Sequence, residues 1–424
     1  MKILFENVRL ISGESSYVVV DGARFSYVGS ERPSGDFDQV KNCGGALLIP
    51  GFYNTHCHAA MTLFRGIGDG LPLSRWLNEQ IFPAEDKLTH EAVYWGTLIG
   101  SAEMISGGTV SFSDMYMFED AVAEAVAECG IKANISRSLV SFDKNINLND
   151  DFRFNEAKSL YDKWNGAEDE RIKVEMSLHA EYTNEPSYCA QVADYCCQNK
   201  IPIQIHLSET HDEHSKCIEK YGMTPTGFFE RAGVLDTKVI AAHCVWLSDE
   251  DIAILSEKGV SIAHNPTSNL KLGSGIMPYS KIVEGGVMVA LGTDGAASNN
   301  SLSVMKEMQL AALIHKGTRL DASAANSRDM FNMATVNGAI VQSREDCGKI
   351  EVGCRADAVL IDLDAVNTLP TPDLYATMVY SADRTNVLMT MCDGRILFEN
   401  GEYKSIDIER AKFQLNRCIS KIFE

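Results

Sequence analysis

Nothing in the 424 residues approaches the run of ~18 to 20 apolar side chains that crosses a bilayer. The opening Met1-Lys2-Ile3-Leu4-Phe5-Glu6 reads as a strand and carries no signal-peptide cleavage pattern. Twelve cysteines are present, but none follows zinc-finger spacing and no secretory context surrounds them. Free thiols in a reducing cytoplasm are therefore the expectation. Basic residues are in short supply: 38 Lys and Arg against 58 Asp and Glu give a formal charge of −20. A surface that acidic is repelled by phosphate backbones and anionic lipid, so neither nucleic acid nor membrane is an expected partner. No short repeat or low-complexity tract interrupts the chain. What remains is an ordinary globular composition, long enough for a barrel of ~250 residues with an appendage.

Both ends of the chain are β-rich. Tyr17-Val18-Val19-Val20, a turn at Asp21-Gly22 and Arg24 to Gly29 read as a hairpin. In the tail, Ala358 to Asp362 and Val387 to Met391 are strand-like, and Cys392-Asp393-Gly394-Arg395 turns the chain into Ile396-Leu397-Phe398. From Asp407 the apolar spacing predicts a terminal helix. Between the ends, eight strand-like runs alternate with helical ones. They are Ile49 to His58, Thr109 to Met115, Lys132 to Leu139, Lys173 to Ala180, Pro202 to Glu209, Lys238 to Cys244, Val260 to Pro266 and Val287 to Gly295. Ala121 to Cys129, Asp249 to Lys258 and Leu302 to His315 are among the helices between them. Eight β/α alternations predict an α/β chain with a (β/α)8 TIM barrel. The expected domains are a barrel over residues 51–347 and a small composite β-sandwich built from 1–50 and 348–424, the latter including the terminal helix.

Ionisable residues gather at the C-terminal ends of these runs, where barrel active sites form. His56, His58, His179, His206 and His243 are five of only ten histidines, which packing does not account for. His56 and His58 are two apart, so on a strand both imidazoles face the same side and can reach one metal ion. Cys57 faces the other way, as a buried thiol. His206 and Asp294 complete a set of three imidazoles and one carboxylate, which suits one divalent ion, zinc or ferrous iron, with a position left for water. Asp294 also sits where it could cap the following helix. Glu209, three residues past His206, is the best-placed acid for protonating a substrate; a helix-start carboxylate is the plainer alternative. His243 could orient an attacking water, or be a buried supporting histidine. His211 and His214 read as solvated residues on the next helix, and His264 is left open.

At this point the residues resemble the amidohydrolase superfamily. His56-Cys57-His58 is followed by Met61-Thr62-Leu63-Phe64-Arg65-Gly66, Leu71-Pro72-Leu73 and Trp76-Leu77. Ala241 to Val245, His264 to Gly273 and Leu291 to Asn300 match the same group. The resemblance spans nearly the whole chain and is strongest to methylthioadenosine/S-adenosylhomocysteine deaminases and related chlorohydrolase-like proteins. It implies one metal ion held by His56, His58, His206 and Asp294. Members with two metals carry a carboxylated lysine at the end of the fourth strand; here that end carries His179, so a second ion is not expected. The implied reaction is hydrolytic deamination of a purine at C6. Asp294 accepts the proton of the attacking water, Glu209 protonates N1, and His243 helps hold the attacking oxygen. Glu85 matches a carboxylate that holds ribose hydroxyls, and two acceptor oxygens suit a vicinal diol. His179 matches a purine-contacting residue, with Ser177-Leu178-His179-Ala180 replacing the family's usual Gly-Pro-His. Arg137 matches an arginine near the 5′ substituent, where it could bind a homocysteine carboxylate; Arg153 is expected at the surface.

The functional expectation is a cytoplasmic, metal-dependent deaminase of 5′-modified adenosines, such as methylthioadenosine, S-adenosylhomocysteine or 5′-deoxyadenosine. The resemblance also implies a homo-oligomer. A guanine, pterin or cytosine deaminase, or an s-triazine chlorohydrolase, is the alternative within the same barrel. A dechlorinating enzyme need not protonate a ring nitrogen, so Glu209 leans toward deamination. A catalytically dead barrel kept as a binding subunit has no need for converging imidazoles.

Overall fold

Strands covered on both faces need apolar side chains at nearly every position, and the middle of the chain supplies them. In the computed structural model, which describes all of residues 1–424, these runs pair in parallel and in chain order. The strands are Phe52–Cys57, Thr109–Tyr116, Lys132–Leu139, the pair Ile172–Val174 and Met176–Leu178, then Ile203–Leu207, Val239–His243, Ser261–His264 and Met288–Leu291. The barrel closes between the last strand and the first. Thr55 Oγ1 donates to Leu291 O at 2.9 Å, and the N–H groups of Thr293 and Asp294 both donate to His56 O, at 3.0 and 2.9 Å. Helices cover the outside. Glu119–Cys129, Asp249–Glu257 and Val304–Arg319 fall where the apolar spacing places them, give or take a turn. Ser248 caps the second of these through a reciprocal bond with Asp251, which fixes its first turn.

Two strands break where the sequence reading runs on, and the eighth ends at Leu291 and not at Gly295. The run expected from Ile49 to His58 is broken at Gly51. Leu47–Pro50 belongs to a different sheet, and the barrel begins at Phe52. A Cβ on Gly51 would lie 2.4 Å from the Val110 side chain, so the chain changes sheets where it has no side chain. The fourth strand breaks at Glu175, whose buried carboxylate accepts from the amides of Asn134 and Gln204 at 2.6 and 2.8 Å.

The second sheet is mixed and joins both ends of the chain. Leu47–Pro50 runs parallel to Lys2–Arg9 and antiparallel to Ala358–Ile361. From there the sheet extends through Ser15–Asp21 and Arg24–Gly29 on one side, and through Val387–Cys392 and Arg395–Glu399 on the other. Ile3, Phe5, Val20 and Phe25 share one apolar core with Leu360, Met389 and Met391, so the sheet curls over itself. The terminal helix, Ile408–Phe423, packs on His90–Ser106. No helix is long and apolar enough to cross a membrane.

Barrel and sheet are tied together by a buried charge. Lys132 enters the barrel floor and is 2% exposed. Its Nζ donates to Asp357 Oδ1 at 2.5 Å and Asp393 Oδ1 at 2.7 Å, while Tyr53 Oη donates to Asp357 Oδ2 at 2.9 Å. A lone ammonium there would be prohibitively costly; two carboxylates and their hydrogen bonds make it tenable.

Candidate active site

Polar side chains converge at the opposite, C-terminal rim of the barrel. The alternation of the first strand turns His56 and His58 to one side, with ring centres 4.9 Å apart, and sends Cys57 to the other, where its thiol meets Asp114 at 3.4 Å. His206 ends the fifth strand, with its ring centre 4.9 Å from His56 and 5.4 Å from His58. Asp294 follows the eighth strand and brings Oδ1 to 3.1 Å from His58 Nε2 and 3.5 Å from His56 Nε2. Its other oxygen accepts from Ser268 Oγ at 2.5 Å and Ser298 Oγ at 2.7 Å. Both His243 and Asp294 sit in the left-handed backbone region, at φ 74 and 60. Such strained geometry persists only where the surroundings enforce it, and it concentrates at functional sites.

Donor atoms of His56, His58 and His206 all lie within 4.8 Å of one another, and so do those of His56, His243 and Asp294. This is a histidine-rich metal site, and the tautomers test the fit. Nδ1 of His58 is 2.6 Å from Met115 O, and Nδ1 of His206 is 2.7 Å from His179 O. A carbonyl oxygen only accepts, so each Nδ1 carries a proton and each Nε2 is free to offer a lone pair. Those two Nε2 atoms face each other at 3.4 Å, and the buried His56 Nε2 has no hydrogen-bond partner. Lone pairs and a carboxylate directed at one point are an arrangement that a divalent cation satisfies. Burial opposes ionisation of Asp294, yet the adjacent His56 and His58 imidazoles hold its carboxyl well below the usual range. Burial would lower His58, but the bond and charge of Asp294 raise it to about 9, so a cation would have to displace the proton from its Nε2. Burial pushes His56 down to about 4.

Glu209 and His243 stand beside this centre. His243 Nδ1 donates to Asn269 Oδ1 at 2.8 Å, which turns Nε2 toward Glu209 Oε2, 3.8 Å away. Ser274 Oγ donates to Glu209 Oε1 at 3.1 Å. The Glu209 backbone is pinned by Glu213, whose Oε2 accepts its N–H at 2.8 Å. Burial raises the Glu209 carboxyl, with the His243 charge opposing.

A cavity of about 620 Å³ opens above, and His58, His179, His206, Glu209, His243 and Asp294 line its floor. Glu85, Arg137 and Arg153 reach the same cavity. Glu85 Oε1 accepts from Tyr116 Oη at 2.7 Å. Burial raises its carboxyl to about 7, against the Tyr116 bond and the His58 charge. Arg137 Nε donates to Glu156 at 2.8 Å, and its Nη1 to Ser138 O at 2.8 Å. Burial and neighbouring imidazoles hold His179 down to about 4. Arg153 departs from the surface position expected of it: half-buried, it lies over the Phe152 ring at 4.4 Å with an edge in the cavity. His211 is exposed against Trp246, whereas His214 is half-buried beside Ser208 at 3.3 Å. His264 lies buried outside the cavity, with its Nε2 3.0 Å from His315 Nε2. The sequence reading passed over Tyr116, Asn269, Ser268, Ser274 and Ser298. Asn269, Ser268 and Ser298 lie within the quoted motifs, where they were the available signal; Tyr116 and Ser274 gave none.

Fold and centre together define a metal-dependent enzyme built on a parallel barrel. The chain belongs to the amidohydrolase family, whose model matches residues 47–397. It is 45% identical over 382 residues to a 5-methylthioadenosine/S-adenosylhomocysteine deaminase of Dictyoglomus thermophilum, covering 90% of this chain and 88% of the relative. It is 41% identical over 390 residues to a 5′-deoxyadenosine deaminase of Methanothermobacter thermautotrophicus, covering 92% and 91%. Among solved structures, an adenosine deaminase of Xanthomonas campestris with bound zinc superposes with a TM-score of 0.93 at 31% identity, covering 100% of this chain and 98% of the other.

Proposed function

We propose that the protein hydrolyses the 6-amino group of 5′-modified adenosines, releasing ammonia and the inosine analogue, with one divalent cation, zinc, held by His56, His58, His206 and Asp294. Ferrous iron suits the same ligands. One observation carries the reading: Glu209, whose carboxyl burial raises, shares a cavity with the metal centre and with the carboxylate Glu85. The names of the two deaminase relatives support the substrate class, and the zinc of the Xanthomonas structure supports the metal.

When bound, the cation supplies Lewis acidity, so that a water at the centre loses a proton near neutral pH. Asp294 takes that proton. His243, fixed by Asn269 with Nε2 toward the cavity, accepts a hydrogen bond from the attacking oxygen and orients it toward C6. Glu209 delivers its proton to N1 as the C6–O bond forms. Asp294 passes the proton it took to the amine, the C6–N bond breaks and ammonia leaves, and the proton on the C6 oxygen returns to Glu209 as that oxygen becomes the carbonyl of the product. His179 contacts the purine from the wall. Glu85 accepts both ribose hydroxyls, oriented by Tyr116, and Arg137 with Arg153 faces the 5′ substituent, where a carboxylate fits. This reading leaves His243 outside the ligand set, although its donor atom also lies within 4.8 Å of those of His56 and Asp294. The same reading has a homo-oligomer working in the cytoplasm, which the twelve free thiols support; sedimentation analysis tests the assembly.

The zinc-loaded protein is incubated with methylthioadenosine, S-adenosylhomocysteine, 5′-deoxyadenosine and adenosine, while adenine absorbance and ammonia are followed. Loss of absorbance with equal ammonia release is expected. Silence on every adenosine, with turnover of guanine, a pterin or a chlorotriazine, refutes the proposal.

A further inference from the structure

Asp294 is held from behind by two serines, and behind these lies Glu307, which does not line the substrate cavity. Glu307 lies in the first turn of the helix Val304–Arg319 and is 0% exposed. One of its oxygens accepts the backbone N–H of Thr267 at 3.0 Å; the other accepts from Asn299 Nδ2 at 2.7 Å. Each of these two partners is the immediate neighbour of a serine that bonds Asp294 Oδ2, namely Ser268 and Ser298. Asn299 Nδ2 also donates to Thr293 O at 2.7 Å, one residue before Asp294. Lys271 ties the same two segments again, donating to Ala297 O at 3.0 Å and Asn300 Oδ1 at 2.6 Å.

We propose that Glu307 is a positioning residue: it clamps the segments carrying Ser268 and Ser298, so that Asp294 keeps Oδ2 on the serines and Oδ1 toward His56 and His58. The inference rests on the reading of Asp294 as a metal ligand. The physical need is plain. Asp294 sits at a positive φ that a non-glycine residue leaves readily unless over-determined, and its carboxylate would otherwise turn to whichever donors are nearest. Both donors to Glu307 are N–H groups. Glutamate accepts both with its two oxygens, whereas glutamine presents one oxygen and one NH2, and the NH2 opposes one of the donors. Glu307→Gln is therefore nearly isosteric yet opens one side of the clamp.

The test strips metal from wild type, Glu307→Gln, Ser298→Ala, the double variant and Asp294→Asn, then measures zinc affinity by competition with a chromophoric chelator. Thermal melts of the metal-free proteins check that each is folded, and the visible spectrum of the cobalt-substituted proteins reports ligand geometry. Glu307→Gln is expected to weaken zinc by about 10- to 100-fold and alter the cobalt spectrum, with a metal-free melt close to wild type. Ser298→Ala is expected to weaken it less and to add little in the double variant, because both act through one carboxylate. Glu307→Gln binding zinc within about twofold of wild type, or effects that add fully, overturns the clamp while leaving the ligand set standing. Asp294→Asn binding zinc as tightly as wild type overturns the ligand reading itself.

Discussion

If Glu85 holds the ribose diol as proposed, that end of the cavity is pH-sensitive in a way that can be worked out in advance. Burial raises its carboxyl to about 7 despite the Tyr116 hydrogen bond. Only the ionised form accepts two hydroxyls without offering a proton of its own. The sign follows: the diol-binding form is present above that value and is lost as pH falls through it. With the value at about 7, the carboxyl is about 90% ionised at pH 8 and about 10% at pH 6, so kcat/KM, which reports the free enzyme, falls about tenfold across that window. The assay compares adenosine with 2′,3′-dideoxyadenosine, whose reacting ring is identical but whose diol is missing. Titration of Glu209, His243 or the metal centre acts on both substrates alike, so their ratio isolates Glu85. Glu85→Gln is expected to lower kcat/KM for the diol substrate and flatten the ratio against pH. A ratio that does not change with pH in the wild type, or that still changes in Glu85→Gln, refutes the role assigned to this carboxylate.

Replacing Glu209 with Gln is expected to leave zinc content intact while turnover drops by about 10²- to 10⁴-fold, the usual worth of a positioned proton donor; metal analysis and ammonia release check both halves. Arg137→Ala is expected to raise KM for S-adenosylhomocysteine about tenfold or more and leave methylthioadenosine nearly untouched, since only the former offers a carboxylate. Steady-state kinetics on the pair decides it, and equal losses count against the assignment. Lys132→Met leaves Asp357 and Asp393 buried without their cation, so it is expected to cost about 3–5 kcal/mol in urea unfolding, although it lies on the far face of the barrel from the active site.

The barrel was legible because parallel strands buried on both faces write themselves as apolar runs, and because ionisable residues stop those runs at one end. The convergence of His56, His58, His206 and Asp294 could be read for the same reason, since ionisable residues at strand ends meet at one rim of a barrel. The break at Gly51 was not legible, since it is set by Val110, some 59 residues away, and glycine inside an apolar run carries no mark of what it must avoid. Arg153 was misplaced because its contact with the cavity depends on how the loop before it folds. Tyr116 lies one residue past the run read from the sequence, Thr109 to Met115, which looked complete without it. Serines and amides such as Ser268, Ser298 and Asn269 are common at loop starts, and only distances distinguish a carboxylate's holder from a helix cap.

Lys132 is made 225 residues before Asp357 and 261 before Asp393. During synthesis, the nascent barrel therefore waits with a bare ammonium where its floor will be sealed, and translation must run almost to its end before the neutralising partners emerge. A message cut short ahead of that point yields all eight barrel strands but leaves the ammonium at their base without its counter-charges.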